Sequence, residues 1–298
     1  MFIKNDKLNF KLFSLFLAII FVFSCSTNTF AMADNSKSVV STVTEYQIYC
    51  NIKQKAKTFE TLDLLSEDEK SIVDGAVERE LLKRKEMSYS DLKTVYGYSD
   101  TQISILKNYN GEPIECSPQL AQVLSASLSL SVSGKSKKLG KSANCTFSWS
   151  WSSMPLVNFT DMISVGTVGV NSSSQNISLS FSSCSGTVNY YTSGNVYVGS
   201  YDTSLSFSYY NTNSQAKSKI QMTKSSTTNT LYAKTGTVKV SVKPSSSGGY
   251  LQKAYIAFAY GHTTVSVTPS VDISFNGLSA SFSFGTNTQD AGSTNVEI

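Results

Sequence analysis

His262, in "AYGHTTVSV", is the only imidazole in the 298-residue chain, and it is the first place to look for chemistry. To serve as a catalytic base it would need a carboxylate to orient the ring and a nucleophile to activate. Serine is abundant, but no Gly-x-Ser-x-Gly elbow occurs. Carboxylates are scarce around it. Between residues 117 and 298 there are five, Asp161, Asp202, Asp272, Asp290 and Glu297, against eleven lysines. Asp161 and Asp202 are candidates for a glycosidase pair only if the fold brings them together. Next to Gly261, His262 reads more simply as a polar residue at a strand end. A zinc site needs several Cys or His ligands and a calcium loop needs clustered Asp, and neither pattern is present. The sequence therefore assigns no catalytic residue, no metal ligand and no cofactor.

A second candidate is aromatic. Both tryptophans lie in "NCTFSWSWSSMPLVNF", residues 144–159. There Cys145, Phe147, Trp149 and Trp151 alternate with Thr146, Ser148, Ser150 and Ser152, which on a strand sends the two sets to opposite faces. One reading buries the aromatic row in a β-sandwich core, since such side chains carry large apolar areas. The other exposes Trp149 and Trp151 as a ligand-binding platform for sugar rings. Pro155 ends this strand or places it at an edge. A further stretch, residues 176–211, is almost free of charge and alternates throughout. It could form a membrane-inserting hairpin with Leu205, Phe207 and Tyr209 toward lipid.

The elements that would carry these residues fall into two regions. Residues 50–111 are dense in charge and read as short helices. Ser66 with Glu69, Ser88 with Asp91 and Ser99 with Gln102 are helix-start signals. Stripes of Ile72, Val73, Ala76, Val77 and Leu81, then Leu92 and Val95, then Ile103, Leu106 and Tyr109 follow at helical spacing. Gly97 and Gly111 supply the stops. The last two helices have a helix-turn-helix outline. Only Lys107 in the second is basic, and an exported chain has no DNA to meet, so nucleic acid is not expected as a partner.

From Leu124 onward the chain alternates apolar residues with Ser, Thr and Asn, as in Leu205, Phe207, Tyr209 and in Val238, Val240, Val242. Asn276-Gly277 between two such runs signals a hairpin with a primed turn. The expected fold is mainly β: an antiparallel β-sandwich-like domain over 117–285, preceded by a small α-helical segment over 66–111. Residues 34–65 would be an N-terminal extension and 286–298 a loose tail.

Export is read from the start of the chain. Lys4, Lys7 and Lys11 precede an apolar run, Leu12–Phe23, and Ala31-Met32-Ala33 offers a cleavage site before Asp34, the layout of a secretory signal peptide over 1–33. An alternative is a lipoprotein box, Val22-Phe23-Ser24-Cys25, with Cys25 lipidated and the protein anchored at the outer face of the cell membrane. Loss of Lys4, Lys7, Lys11 and Asp6 leaves 22 basic and 20 acidic residues, too balanced for binding driven by overall charge. Cys50, Cys116, Cys145 and Cys184 remain, and the compartment leads one to expect at least one disulfide among three possible pairings.

"YGYSDTQISILKNYNG" and "FSWSWSSMP…FTDMISVG" resemble stretches of uncharacterised exported proteins of low-GC Gram-positive bacteria. That resemblance implies origin and export and no activity. The expectation is a secreted, non-enzymatic protein that binds or assembles at the cell surface through an unknown glycan or protein ligand. A membrane-active pore former is the alternative, and a hydrolase the third reading.

Overall fold

Alternating Ser and apolar residues do build two antiparallel sheets in the computed structural model, which describes residues 42–58, 70, 72, 74–156, 158–226, 230–247, 249–263, 271–284 and 288–298. The leader, Cys25 and the Ser66–Glu69 start signal lie outside these residues. In the first sheet the order is β1 (Thr42–Thr44), β2 (Ser127–Lys138), β3 (Ser142–Trp151), β11 (Thr230–Pro244), β6 (Leu179–Thr192) and β7 (Thr203–Ser204), with β10 (Thr223–Ser225) also on β11. In the second it is β15 (Thr288–Glu297), β12 (Lys253–Thr263), β4 (Thr160–Val170), β9 (Gln215–Gln221) and β8 (Ser208–Tyr210), with β5 (Asn176–Ile177) on β4. A separate hairpin, β13 (Val271–Asn276) with β14 (Ser279–Phe284), pairs only with itself.

The two large sheets face each other as a sandwich. Phe147 on β3 stacks on Phe258 on β12 with ring centroids 5.1 Å apart. β3 shows strict alternation, with Ala143, Cys145, Phe147, Trp149 and Trp151 all buried. This strand runs between β2 and β11 in the middle of its sheet, so Pro155 follows an internal strand and marks no edge. Trp149 and Trp151 are 2% and 0% exposed. The platform reading therefore gives way to the core reading: on a central strand, the face away from the serines is covered by the second sheet.

β4 and β12 lack alternation because both of their faces are covered. From Asp161 to Thr167 and from Ala254 to His262 every residue is buried. The inner face meets the sandwich core. On the outer face β13 and β14 lay Val271, Ile273, Phe275, Ala280 and Phe282 over Met162, Ala257 and Ala259. The hairpin turn is centred one residue later than Asn-Gly. Asn276 pairs with Ser279, and Gly277 takes φ 64° at the first central position, as a type II′ turn requires.

Residues 288–298 are a paired strand and not a loose tail: β15 runs along β12 and buries Val296. The region expected to be an N-terminal extension also carries structure. Thr44 and Gln47 cap α1 (Glu45–Thr58) reciprocally, Gln47 N–H donating to Thr44 Oγ1 at 3.2 Å and Thr44 N–H to Gln47 Oε1 at 2.9 Å. α2 (Ala76–Lys85), α3 (Tyr89–Thr94), α4 (Asp100–Asn108) and α5 (Leu120–Val123) complete the helical segment. Ser88 and Ser99 cap α3 and α4 as expected, and Gly97 and Gly111 take φ 69° and 92°. All described residues belong to one compact unit, so the helices are not a separate domain.

Gly236 on β11 sits opposite Trp149, and a Cβ there would lie 2.1 Å from Trp149 Cζ2 and 2.5 Å from the Thr187 carbonyl oxygen. The indole lies over the bare backbone of this glycine. Gly236→Ala is expected to lower stability by about 1–3 kcal/mol through overpacking. The measurement is a lower urea midpoint at unchanged slope. An unchanged midpoint would mean the indole can leave Gly236 freely.

Candidate functional site

Three places collect polar or exposed aromatic side chains: a buried ion cluster where the helices meet the sandwich, a surface cleft at one edge, and the β13–β14 hairpin. The cluster is built from the ends of three elements. Glu45 is the first residue of α1, fixed by its N–H donating to the Ala126 carbonyl at 3.0 Å and that of Tyr46 to Leu124 at 3.1 Å. Asp161 and His262 lie near the start of β4 and the end of β12, on the inward face. His262 Nδ1–H donates to Asp161 at 3.0 Å, and its Nε2 lies 3.9 Å from Glu45 Oε1. Tyr260 O–H donates to Asp161 at 2.8 Å and receives the Trp151 indole N–H at 3.2 Å. Glu45 accepts from the Leu156 N–H at 2.7 Å and from Tyr49 O–H at 2.9 Å.

Arg84 closes the set, donating to Tyr98 O–H at 2.8 Å and to the Leu156 carbonyl at 2.6 Å while lying over the Tyr96 ring. With His262 protonated, one cation lies between the carboxylates of Asp161 and Glu45, while the nearest carboxylate to Arg84 is Glu80, 3.7 Å from its Nε. Burial alone would lower the imidazole pKa. The Asp161 charge and hydrogen bond, with Glu45 behind, outweigh it and raise the value. Asp–His–Glu is a set that could move protons, but Asp161 and His262 are fully buried and Glu45 is 1% exposed. These atoms are closed off from solvent, and the cluster ties the start of α1 to the ends of β4 and β12 as a clasp. His262 does sit at a strand end, but buried and paired, and Asp202, on the surface with Tyr197, is no partner of Asp161.

The cysteines do not form bridges among the described residues: all four are free thiols. Cys145 and Cys184 both lie opposite Val240 on β11, from its two sides. Two strand spacings separate them, about 9–10 Å, beyond the roughly 7 Å reach of a disulfide. Burial pushes both thiols up to about 12. They behave as small core residues and not as reactive groups.

The stretch expected to insert into a membrane, residues 176–211, is a hairpin only in part: β6 and β7 pair antiparallel at Thr187 with Ser204 and Val188 with Thr203. β7 belongs to the first sheet and β8 to the second, so residues 204–208 cross between the sheets. Leu205 and Phe207 are half-buried against the core and only Tyr209 is exposed. Alternation gave these strands their faces, but β7 and β8, neighbours in sequence, belong to different sheets.

That crossover creates the cleft. β8 covers β9 only from Gln215 to Lys217. Beyond it opens a cavity of about 430 Å³ whose lining includes Tyr190, Tyr210, Lys217, Lys219 and Lys224 with a row of Ser and Thr from β7 to β8. Lys224 donates to the Tyr201 carbonyl at 2.9 Å and lies 4.3 Å from the Tyr190 ring centroid, and Lys217 pairs with Asp272 at 2.5 Å. Those two cations hold the walls. Lys219 is exposed on the outer face of β9 with no ion pair among the described residues, and Tyr210 is 48% exposed. Among the described residues no carboxylate lines the cavity. No signal in the sequence marked the lysines, which on alternate positions of a strand read as a wet face; the tyrosine pairs Tyr190-Tyr191 and Tyr209-Tyr210 were the visible signal.

No protein-family model matches the chain, and no curated protein matches it either.

The clasp makes stability depend on pH. Because the folded His262 pKa lies above the ordinary 6.5, the folded state binds more protons than the unfolded state above that pH. Its contribution is fully present below about 6.5 and is lost as pH rises through the folded value, by up to about 1.4 kcal/mol per pH unit. Urea midpoints from about pH 6 to about pH 9 should fall for the wild type relative to His262→Gln. Parallel midpoints for the two proteins would show that the fold does not shift the imidazole, and a wild-type midpoint that rises over this range relative to the variant would show that the imidazole is neutral in the fold.

Proposed function

We propose that the protein is a non-enzymatic, extracellular binding protein of a low-GC Gram-positive bacterium, and that the cleft beside β9 takes an anionic saccharide of the cell surface. The observation that carries this reading is the exposed ammonium of Lys219, with no ion pair among the described residues, beside the exposed ring of Tyr210, in a cavity whose described lining holds no carboxylate. Tyr offers an apolar face to a sugar ring and a hydroxyl to its substituents. The Ser and Thr hydroxyls of the crossover can donate and accept, matching vicinal sugar hydroxyls. Lys219 supplies a flexible point charge for a uronate, phosphate or sulfate group. The leader and the resemblance to exported proteins support the location.

The test is binding of the chain from Asp34 onward to uronate-, phosphate- and sulfate-bearing oligosaccharides against neutral ones, at two salt concentrations. Anionic ligands should bind and weaken as salt rises, because the contact is an exposed ion pair. Lys219→Ala and Tyr210→Ala should each weaken binding about tenfold, the equivalent of about 1.4 kcal/mol. Equal binding of neutral ligands, or full binding by both variants, would remove the cleft as the site.

A further inference from the structure

Alternation along β9 sends Ala216 and Ile220 into the sandwich and leaves Lys217 and Lys219 on the outer face. Residues directly opposite on paired strands share a face, which adds Tyr210, opposite Gln215, and Met162, opposite Lys219. The β13–β14 hairpin borders the same face, with Val271 and Ile273 packed over Met162, Ala257 and Ala259. Asp272 is the only charged residue of its two strands. Two lysines, one exposed tyrosine and one carboxylate thus meet on one small area outside the second sheet.

Within that area the Lys217 ammonium lies between two groups. Asp272 holds it at 2.5 Å, and the centroid of the Tyr210 ring is 5.0 Å away. The Lys217 side chain is 14% exposed and that of Asp272 55%. The ammonium is therefore sheltered beside the ring, while the carboxylate faces water and has room to leave. An ion pair with an exposed partner holds weakly and is easily exchanged. The hairpin has a separate, apolar hold on the sheet, made close by Gly166, where a Cβ would lie 2.8 Å from Ile273 Cγ2.

We propose that Asp272 is a built-in competitor for the anionic ligand of the cleft: it occupies Lys217 until an acidic group of the saccharide takes its place. This rests on the saccharide reading above. A sugar on the face of Tyr210 brings its acidic group within reach of both lysines, which lie two residues apart on one face of β9. Lys219 is open to that group at once, and Lys217 only by exchange with Asp272. The displaced carboxylate is hydrated where it already stands, and the hairpin stays on its apolar seat. A ligand thus gains its second lysine only by giving up an existing ion pair, which keeps the contact weak and reversible.

The test is binding of dextran sulfate oligosaccharides, with unsulfated dextran as control, to the chain from Asp34 onward and to its variants. Asp272→Asn should bind dextran sulfate about threefold more tightly than the wild type, and its affinity should fall more steeply with salt because a second lysine is open. Lys217→Ala should bind more weakly, and in that background Asp272→Asn should restore little. The Asp272→Asn urea midpoint should stay close to that of the wild type. Unchanged or weaker binding by Asp272→Asn would overturn the proposal, as would an equal gain with and without Lys217, which would mean general repulsion. A marked fall in the Asp272→Asn midpoint would also overturn it, since the ion pair would then be what seats the hairpin. If the wild type does not prefer dextran sulfate, or Lys219→Ala binds as well as the wild type, the cleft reading falls and this inference with it. Weaker binding by Lys219→Ala without a gain by Asp272→Asn strikes this inference alone.

Discussion

The contact on which the rest of the molecule depends is the buried pairing of His262 with Asp161 and Glu45. It gathers the first turn of α1, the start of β4 and the end of β12 at one point. Each carboxylate has further hydrogen bonds, from Tyr260 and from Tyr49 and the Leu156 N–H. A buried charge is tolerable only when it is paired and its remaining lone pairs are occupied. Removing any member strands another, which is why this constraint fixes how the helices lie on the sandwich more strictly than apolar contact would. Gly97 reinforces the same junction: a Cβ there would meet the Ser193 carbonyl oxygen at 2.3 Å.

The clasp also explains the composition of the neighbouring strands. β12 ends in the ion cluster on its inner face and carries only Ala257, Ala259 and Gly261 next to Tyr255 on its outer one. Small outer residues let β13–β14 approach, and the hairpin in turn lets β12 be apolar on both sides without exposing that surface. Sandwich, clasp and hairpin are thus one packing problem solved at β4 and β12.

How much of this could be read from the chain follows from what each signal encodes. Caps are local, so Ser88, Ser99 and Gly97 marked their helix ends correctly, and Thr44 with Gln47 would have marked α1 by the same rule. Period-two alternation gives a strand its two faces, and on β3 it set Trp149 and Trp151 apart from the serines. It does not say which face is covered; only the neighbours of β3 decide that. Nor does it name a partner strand, so Leu205, Phe207 and Tyr209 looked like a hairpin although β7 and β8 belong to different sheets. His262 was the least legible residue, because its environment comes from Asp161 and Glu45, 101 and 217 positions earlier in the chain.

The distribution of unsatisfied chemistry then favours the periphery. Within the core, Asp161, Glu45 and His262 are committed to the clasp and Lys53 to Glu78, and the thiols of Cys145 and Cys184 are held protonated by burial. What is left exposed sits on one side of the second sheet: Lys219 and Tyr210 at the uncovered edge of β9, and the serine face of the hairpin that Lys217 tethers beside it. An edge where a crossover leaves strand β9 half covered is where a sandwich can vary without disturbing its core. A ligand that engages Lys217 or Lys219 there meets the hairpin's one ionic tether within the same few residues, and because Lys219 lies opposite Met162 on β4, next to Asp161, the cleft and the clasp adjoin along one ladder.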